Sequence, residues 1–191
     1  MHSHFKLYKP YGYLSQFITN EKPRKKSKRL LGELFDFPEG TMSIGRLDQD
    51  SEGLLLLTTD GKVSAEVTGK KVEKEYFVQV DGQITEEAVA ALRKGVEISI
   101  NGKKYQTLPS KAQLLTEKPE FPERAKRIRD ERHGPTSWIS ITLTEGKFRQ
   151  VKKMTAAVGF PTLRLVRVRI GNERLENMQP GEVVKKDNFR L

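Results

Sequence analysis

The chain has 191 residues, of which 35 are lysine or arginine and 25 are aspartate or glutamate, so its formal net charge at pH 7 is +10. A basic excess of this size favours a polyanionic partner such as nucleic acid. The complete lack of cysteine excludes disulfides, thiolate nucleophiles and cysteine-ligated zinc, and only three histidines argue against a histidine-built metal centre. The length allows one domain with a sizeable core. No apolar stretch reaches the roughly 18 residues of a membrane span, so we expect a soluble, cytoplasmic protein.

The N-terminal residues predict a short strand followed by a tight turn. Residues 5–8 alternate apolar and polar side chains, and the sequence KPYG at residues 9–12 then forces a turn through its proline and glycine. Lys9 opens this turn. Its residue type fits either a phosphate-facing position or an ordinary solvated lysine, and the pattern alone favours the second.

A dense basic run follows the first turn. Residues 22–29, KPRKKSKR, contain six basic side chains and no acidic one. Charge runs of this density stay solvated and attract phosphate, so we interpret this run as an RNA-touching loop or arm. The leucines at positions 30, 31 and 34 then predict a short amphipathic helix that ends at Pro38 and Gly40.

Residues 45–61, with the sequence GRLDQDSEGLLLLTTDG, are the most informative stretch of the chain. Arg46 and Asp48 precede four leucines at residues 54–57, a run that is typical of a strand buried on both faces. Spacing alone favours a helix cap or an Asx-turn for Asp48. A calcium loop is excluded, because Thr59 stands where such a loop requires its bidentate glutamate.

The remaining chain predicts strands joined by hairpins, with few helices. Asn101-Gly102 is a strong hairpin signal, and Thr85 is a good N-cap for a helix that ends before Gly95. In order, we predict a brief helix at 62–67, a strand at 74–80, a helix at 86–94, a hairpin at 96–100 and 103–108, strands at 112–115 and 138–143, a helix within 145–154 and a strand at 163–170. This order argues for an α+β fold with a mixed, mainly antiparallel sheet.

Two further stretches are candidates for contact with a substrate. Residues 117–135 lack periodicity and are longer than most loops of compact domains, so we interpret them as a charged, substrate-contacting insertion. Residues 147–169 contain seven basic side chains and no acidic one, which predicts a second basic surface. Within that surface, Arg164, Arg167 and Arg169 are expected on a solvated side of the last predicted strand.

The central stretch resembles the catalytic motif of the pseudouridine synthases that modify ribosomal RNA, with Ser51 where the family usually has threonine. KPYG, the sequence KEY at 74–76, EGKFRQVKKM at 145–154 and LRLVRVRIG at 163–171 resemble further motifs of this family in the same order. The resemblance covers nearly the whole chain and is greatest to large-subunit members without an S4 RNA-binding domain. It implies that residues 1–191 form a single catalytic domain, a bent two-lobed sheet with the active-site cleft between the lobes.

The resemblance also implies roles for individual residues. Asp48 matches the catalytic aspartate, Tyr76 the aromatic residue that stacks on the target uracil, and Lys152 the basic residue that pairs with the aspartate. Arg46 and Leu165 match residues of the substrate pocket. The residues expected to contact RNA are Lys9, Lys147, Arg149, Lys153 and Arg167. Arg149 stands where relatives commonly have histidine, which leaves its role open.

The implied activity is the isomerisation of a specific uridine to pseudouridine in large-subunit (23S) rRNA, through base flipping and a catalytic aspartate. The reaction needs no redox or group-transfer step, so we expect no cofactor and no metal, and we expect a monomer. A tRNA pseudouridine synthase is the alternative within the family. Outside it, the alternatives are a non-catalytic RNA-binding ribosome-assembly factor and a metal-dependent nuclease with Asp48, Asp50 and Asp60 as ligands.

Overall fold

The computed structural model describes residues 1–18, 28–69 and 71–191. Of the basic run at 22–29, only Lys28 and Arg29 fall within these ranges, so the predicted arm lies almost entirely outside the described residues. The chain divides into two compact units. The first comprises Met1–Val72, Arg124–Lys126 and Arg167–Leu191, and the second comprises Glu73–Glu123 and Arg127–Val166. No helix within the described ranges is long and apolar enough to cross a membrane.

The described residues form eleven strands, three α-helices and two single 3₁₀ turns. The strands are β1 (His4–Lys9), β2 (Met42–Ile44), β3 (Glu52–Thr58), β4 (Lys74–Asp81), β5 (Glu97–Ile100), β6 (Lys103–Gln106), β7 (Lys111–Leu115), β8 (Thr136–Leu143), β9 (Thr162–Ile170), β10 (Glu173–Arg174) and β11 (Val183–Lys186). The helices are α1 (Gly61–Gly69), α2 (Glu86–Lys94) and α3 (Gln150–Ala157), and the 3₁₀ turns are Leu31–Glu33 and Glu131–His133.

The first unit is built around β3. Strand β1 pairs antiparallel with both β3 and β11, and β2 also pairs antiparallel with β3. All seven residues of β3 are buried, and its four leucines are completely inaccessible to solvent. Leu55 and Leu57 pack with Phe5, Leu7 and Leu31 in one apolar cluster. The prediction of a strand buried on both faces is therefore confirmed.

The second unit contains the antiparallel series β4, β8 and β7, together with the separate hairpin of β5 and β6. Its local signals behave as predicted. The backbone N–H of Ala88 donates to the Thr85 hydroxyl at 3.1 Å, which caps α2. Asn101 and Gly102 have φ angles of 50° and 76°, the left-handed values that a two-residue hairpin turn requires. The mixed, mainly antiparallel fold is confirmed.

Other expectations were wrong, mostly because polar residues are buried. The predicted helix near residues 30–34 is a single 3₁₀ turn. In β9, Arg164 and Arg167 are buried rather than solvated. Residues 117–135 contain no strand, as predicted, and Phe121 packs beside Trp138 of the second unit with ring centroids 5.8 Å apart. Contact of this stretch with a substrate stays a prediction.

Candidate active site

Asp48 lies in the short segment between β2 and β3 and is half-buried. The segment starts at Gly45, whose φ of 68° turns the chain out of β2. It closes with a turn in which the backbone N–H of Ser51 donates to the Asp48 carbonyl at 3.0 Å. The carboxylate therefore stands on an ordered turn that leads directly into the most buried strand of the first unit.

The KPYG turn is hydrogen-bonded to this segment. The Gly12 N–H donates to the Gln49 carbonyl at 2.8 Å, and the Gln49 amide returns a bond to the Gly12 carbonyl at 3.3 Å. The Lys9 ammonium donates to the carbonyls of Pro10 and Tyr13 at 2.9 and 2.7 Å. Two motifs that are far apart in the sequence thus form one connected backbone structure beside Asp48.

Ser15 holds the residue that precedes Asp48. Its hydroxyl donates to the Leu47 carbonyl at 2.7 Å and accepts from the Leu47 N–H at 2.9 Å. The Ser15 carbonyl accepts in turn from the Ser43 hydroxyl at 3.0 Å. Because Ser15 and Leu47 are both buried, these bonds are shielded from water and restrict the backbone at Asp48.

Arg167 supports the same segment from β9. Its guanidinium donates to the Leu54 carbonyl at 2.8 Å and to the Arg46 carbonyl at 3.4 Å. The close approach of its backbone is possible only because residue 53 is glycine, since a Cβ there would lie 2.3 Å from the Arg167 carbonyl oxygen. Arg167 is therefore a buried support of the Asp48 turn.

The predicted pocket residues Tyr76, Lys152 and Leu165 lie in the second unit. Tyr76 is in β4, paired with Ile141 of β8, and only 9% of its surface is exposed. Leu165 is buried in β9, and Lys152 is half-buried on α3. Each lies on a strand or a helix, which fixes the backbone position from which its side chain extends.

A turn at residues 145–149 precedes α3 and carries the predicted RNA-binding residues Lys147 and Arg149. Gln150, which is buried, accepts from the Lys147 N–H through its side chain at 3.2 Å and donates its own N–H to the Lys147 carbonyl at 3.1 Å. Arg149 has a φ of 51°, so the chain enters α3 through a left-handed residue. Lys147 is exposed and Lys153 is half-buried.

Glu145 connects this turn to the hairpin of β5 and β6. Its carboxylate accepts from the Leu108 N–H and from the Gln150 amide, both at 2.9 Å, and from the Tyr105 hydroxyl. The hydrogen bond to the Glu145 carboxylate raises the pKa of Tyr105, because the phenol must stay protonated to donate it.

Two residues predicted to contact RNA are placed elsewhere. Lys9 is fully buried, with its ammonium directed at backbone carbonyls, and Arg167 is buried against β3. Neither presents its charge to solvent, so their expected surface positions were wrong. Conversely, the supporting residues Ser15, Glu145 and Gln150 were not predicted from the sequence. Only the last two had a signal, because they lie in a motif that the resemblance had already identified.

The ligand set of the nuclease alternative is not assembled. Among residues 1–18, 28–69 and 71–191, no group of three or more His, Asp or Glu side chains is arranged to hold a metal ion. Asp60, one of its three proposed ligands, instead accepts from the Lys62 N–H at 2.9 Å at the start of α1. This hydrogen bond lowers the pKa of Asp60.

Comparison with known proteins decides the family. The sequence profile described as RNA pseudouridylate synthase matches residues 3–157, which include the Asp48 segment, β4 and α3. The chain belongs to this family. It is an RNA pseudouridine synthase, as the sequence motifs predicted.

Individual relatives and a solved structure agree with this assignment. The synthase is 44% identical to ribosomal large subunit pseudouridine synthase E of Xanthomonas axonopodis pv. citri (strain 306), over 91% of this chain and 88% of the relative. It is 43% identical to the protein of the same name from Vibrio vulnificus (strain CMCP6), over 91% of this chain and 70% of the relative. A crystal structure of a pseudouridylate synthase matches with a TM-score of 0.74 and 29% identity, over 97% of this chain and 70% of that one.

Proposed function

We propose that the synthase isomerises a specific uridine of large-subunit rRNA to pseudouridine, with Asp48 as the catalytic carboxylate. The substrate class is inferred from the relatives named as large-subunit enzymes, which are 43–44% identical to this chain. The observation that carries the assignment of Asp48 is its half-buried position on a turn that Ser15, Gly12 and Arg167 restrain through hydrogen bonds. Such restraint is what a group acting on one atom of a large substrate requires.

Base flipping is the first step of the proposed reaction. A uridine in folded RNA hides its reacting atoms, so it must leave the stack, at a cost of roughly a few kcal/mol that pocket contacts offset. In the proposal, Tyr76 supplies the aromatic face for the uracil and Leu165 packs beside the base. This role is supported by the positions of the two residues within regular strands, β4 and β9.

The chemical step uses the ionised carboxylate of Asp48. It either attacks C1′ of the ribose or removes the proton at C2′, and the bond between N1 of uracil and C1′ breaks. The freed uracil turns and its C5 bonds to C1′. This displaces the Asp48 carboxylate from C1′ in the first route, and in the second Asp48 returns the proton to C2′. The proton on C5 is lost while N1 gains one. In the proposal, Lys152 and Arg46 are the cations that favour the charged form of Asp48.

In the same proposal, basic side chains of the turn before α3 bind the RNA backbone. Lys147, Arg149 and Lys153 contact phosphates of the RNA, a role supported by a turn that carries no acidic side chain between residues 146 and 153. The enzyme works as a monomer in the cytoplasm, on free rRNA or on an assembly intermediate. The 191 residues act as one catalytic domain.

The test is a tritium-release assay with purified protein and RNA that carries [5-³H]uridine, because the new C5–C1′ bond expels the label. We expect release from a large-subunit rRNA transcript, no release from tRNA, and a loss of at least about 10³-fold in rate for Asp48→Asn. Asp50→Asn is the matched control within the motif and should keep most of the activity.

Three results would count against the proposal. Release from tRNA alone would move the enzyme to the alternative substrate. An active Asp48→Asn variant would remove the proposed nucleophile or base. Cleavage of the RNA without tritium release, abolished by a metal chelator, would favour the metal-dependent nuclease alternative.

A further inference from the structure

Phe148 is the most exposed aromatic side chain of the described residues, with 67% of its surface accessible. The other exposed phenylalanine, Phe35, is 42% exposed, and its ring packs on Phe37 and Phe5 at centroid distances of 5.0 and 5.9 Å. Phe35 is therefore accounted for by the apolar cluster of the first unit. Phe148 lies outside any such cluster, on the turn that precedes α3.

The backbone of this turn keeps Phe148 at the surface. Gln150 is bonded to Lys147 in both directions, and Arg149 has a left-handed φ of 51°. Lys153 adds a third restraint, because its backbone N–H donates to the Arg149 carbonyl at 3.0 Å. The exposure of Phe148 is thus set by the fold of residues 147–153.

The surroundings of Phe148 are strongly cationic. Between residues 147 and 153 the chain carries Lys147, Arg149, Lys152 and Lys153 and no acidic residue. The Lys153 ammonium lies 5.2 Å from the centre of the Phe148 ring and also donates to the Ser99 carbonyl at 2.8 Å. A cation at this distance is attracted to the face of the ring and holds it in place.

We propose that Phe148 is a stacking residue for an unpaired base of the RNA substrate, next to phosphates held by Lys147 and Lys153. This inference rests on the proposed function and assigns the turn a specific part of its substrate. An aromatic ring among cations is the combination with which proteins bind single-stranded RNA, since every base offers a face for stacking and every nucleotide a phosphate. An apolar protein partner would instead have to desolvate the Lys153 ammonium beside the ring.

The test compares two fluorescein-labelled probes of about 12 nucleotides, an oligouridylate and an abasic ribose-phosphate oligomer of equal length. Stacking predicts that Phe148→Ala binds the oligouridylate about 5- to 100-fold more weakly than wild type and binds the abasic oligomer equally well. Phe148→Leu should show the same selective loss, because it keeps the apolar volume and removes the aromatic face. Phe148→Trp should bind at least as tightly as wild type.

Controls separate this inference from folding and from the proposed function. Phe35→Leu changes an exposed phenylalanine outside the basic turn and should leave both affinities unchanged. The Phe148 variants should unfold at the wild-type temperature, because their side chain is mostly in solvent. Tritium release by the wild type tests the proposed function separately, so an active wild type with fully active Phe148→Ala would count against the stacking role alone.

Two binding results would overturn the inference. If Phe148→Leu binds oligouridylate as tightly as wild type, the ring supplies apolar volume rather than a stacking face. If Phe148→Ala binds the oligouridylate and the abasic oligomer with equally reduced affinity, the side chain acts on the backbone contacts and does not touch a base.

Discussion

At the scale of single residues, two cationic side chains of the first unit are hydrogen-bonded to its own backbone. The buried Lys9 ammonium donates to carbonyls at the KPYG turn, and the buried Arg167 guanidinium donates to carbonyls on both sides of Asp48. A buried charge is tolerated only where such partners satisfy it. We therefore infer that both side chains position the proposed catalytic carboxylate, and their burial argues against the predicted contact with RNA.

Lys9→Met tests this positioning role. We expect the free energy of unfolding to fall by roughly 2–4 kcal/mol, because the substitution removes the donor to the buried Tyr13 carbonyl and to the Pro10 carbonyl. The slope of log affinity for rRNA against log salt concentration should stay unchanged, because the Lys9 ammonium is buried and already bonded to backbone carbonyls. Chemical denaturation and RNA titrations at several salt concentrations measure the two quantities.

Lys147→Ala is the matched control for Lys9→Met, because its side chain is exposed on the basic turn. It should keep wild-type stability and reduce the salt slope by about 0.7–0.9, the value for one phosphate that is no longer neutralised. The opposite pattern, a stable Lys9→Met variant with a reduced slope, would show that Lys9 reaches RNA.

Buried cations also explain why the sequence pattern did not predict which lysine and arginine side chains are exposed. A lysine or arginine that alternates with apolar residues normally indicates a solvated face, and β1 and β9 both have this pattern. The rule failed because Lys6, Arg164 and Arg167 donate to carbonyls of distant residues, Arg174, Pro122 and Leu54. No spacing in the sequence encodes those tertiary partners.

At the scale of elements, strand β3 depends on one glycine. Gly53 has a φ of 109°, and its missing side chain lets the Arg167 backbone approach to a distance that a Cβ would not permit. This close approach fixes the start of the strand, immediately after the Asp48 turn.

Gly53→Ala should therefore destabilise the protein by about 3 kcal/mol or more, because it adds both a clash with backbone and an unfavourable φ. Gly61→Ala is the control, since a Cβ there meets nothing within 4 Å, and its effect should stay within about 0.5 kcal/mol. Thermal denaturation of both variants decides the comparison. Equal stabilities would mean that β3 does not need this close approach.

Glu145 joins the turn before α3 to the hairpin of β5 and β6, and its carboxylate raises the pKa of Tyr105. Glu145→Gln replaces the carboxylate that accepts the phenol's hydrogen bond and removes its negative charge, so the pKa of Tyr105 should fall towards its ordinary value of 10.0. Ultraviolet titration of phenolate absorbance, with Tyr105→Phe subtracted to isolate one tyrosine, measures the shift. An unchanged pKa would show that the carboxylate does not accept this hydrogen bond.

Elements were predicted well where local chemistry determines them. The four leucines of β3, the Thr85 cap of α2 and the Asn101-Gly102 turn carry their signal within a few residues, and the structure confirms all three. The short strands β2, β10 and β11 were missed, because two to four residues have too little pattern and form only by pairing with distant strands.

At the scale of the whole molecule, the net charge of +10 is unevenly distributed along the chain. The run at 22–29 carries six basic residues, and the stretch at 147–169 carries seven. In the second stretch, burial of Arg164 and Arg167 moves part of that charge into the protein interior. Among the described residues, exposed positive charge therefore includes Lys147 on the turn before α3 and Lys28 and Arg29 at the end of the 22–29 run.

Replacing the six basic residues of the 22–29 run with serine tests its contribution to RNA binding. We expect weaker rRNA binding and a salt slope reduced by about 0.7–0.9 for each phosphate that the variant no longer neutralises. The control replaces Lys103 and Lys104, exposed residues of the β5–β6 hairpin, and the two slopes are compared per charge removed. An unchanged slope for the first variant would exclude the run from the RNA footprint.

The central claim, that this synthase modifies large-subunit rRNA through Asp48, is tested most directly in cells that lack the protein. Their rRNA and tRNA are mapped for pseudouridine by carbodiimide modification and reverse-transcription stops, with complementation by wild type or Asp48→Asn. We predict that one stop disappears from large-subunit rRNA, returns with wild type and does not return with Asp48→Asn. A full set of stops in the deleted strain, or a stop restored by Asp48→Asn, would contradict the claim.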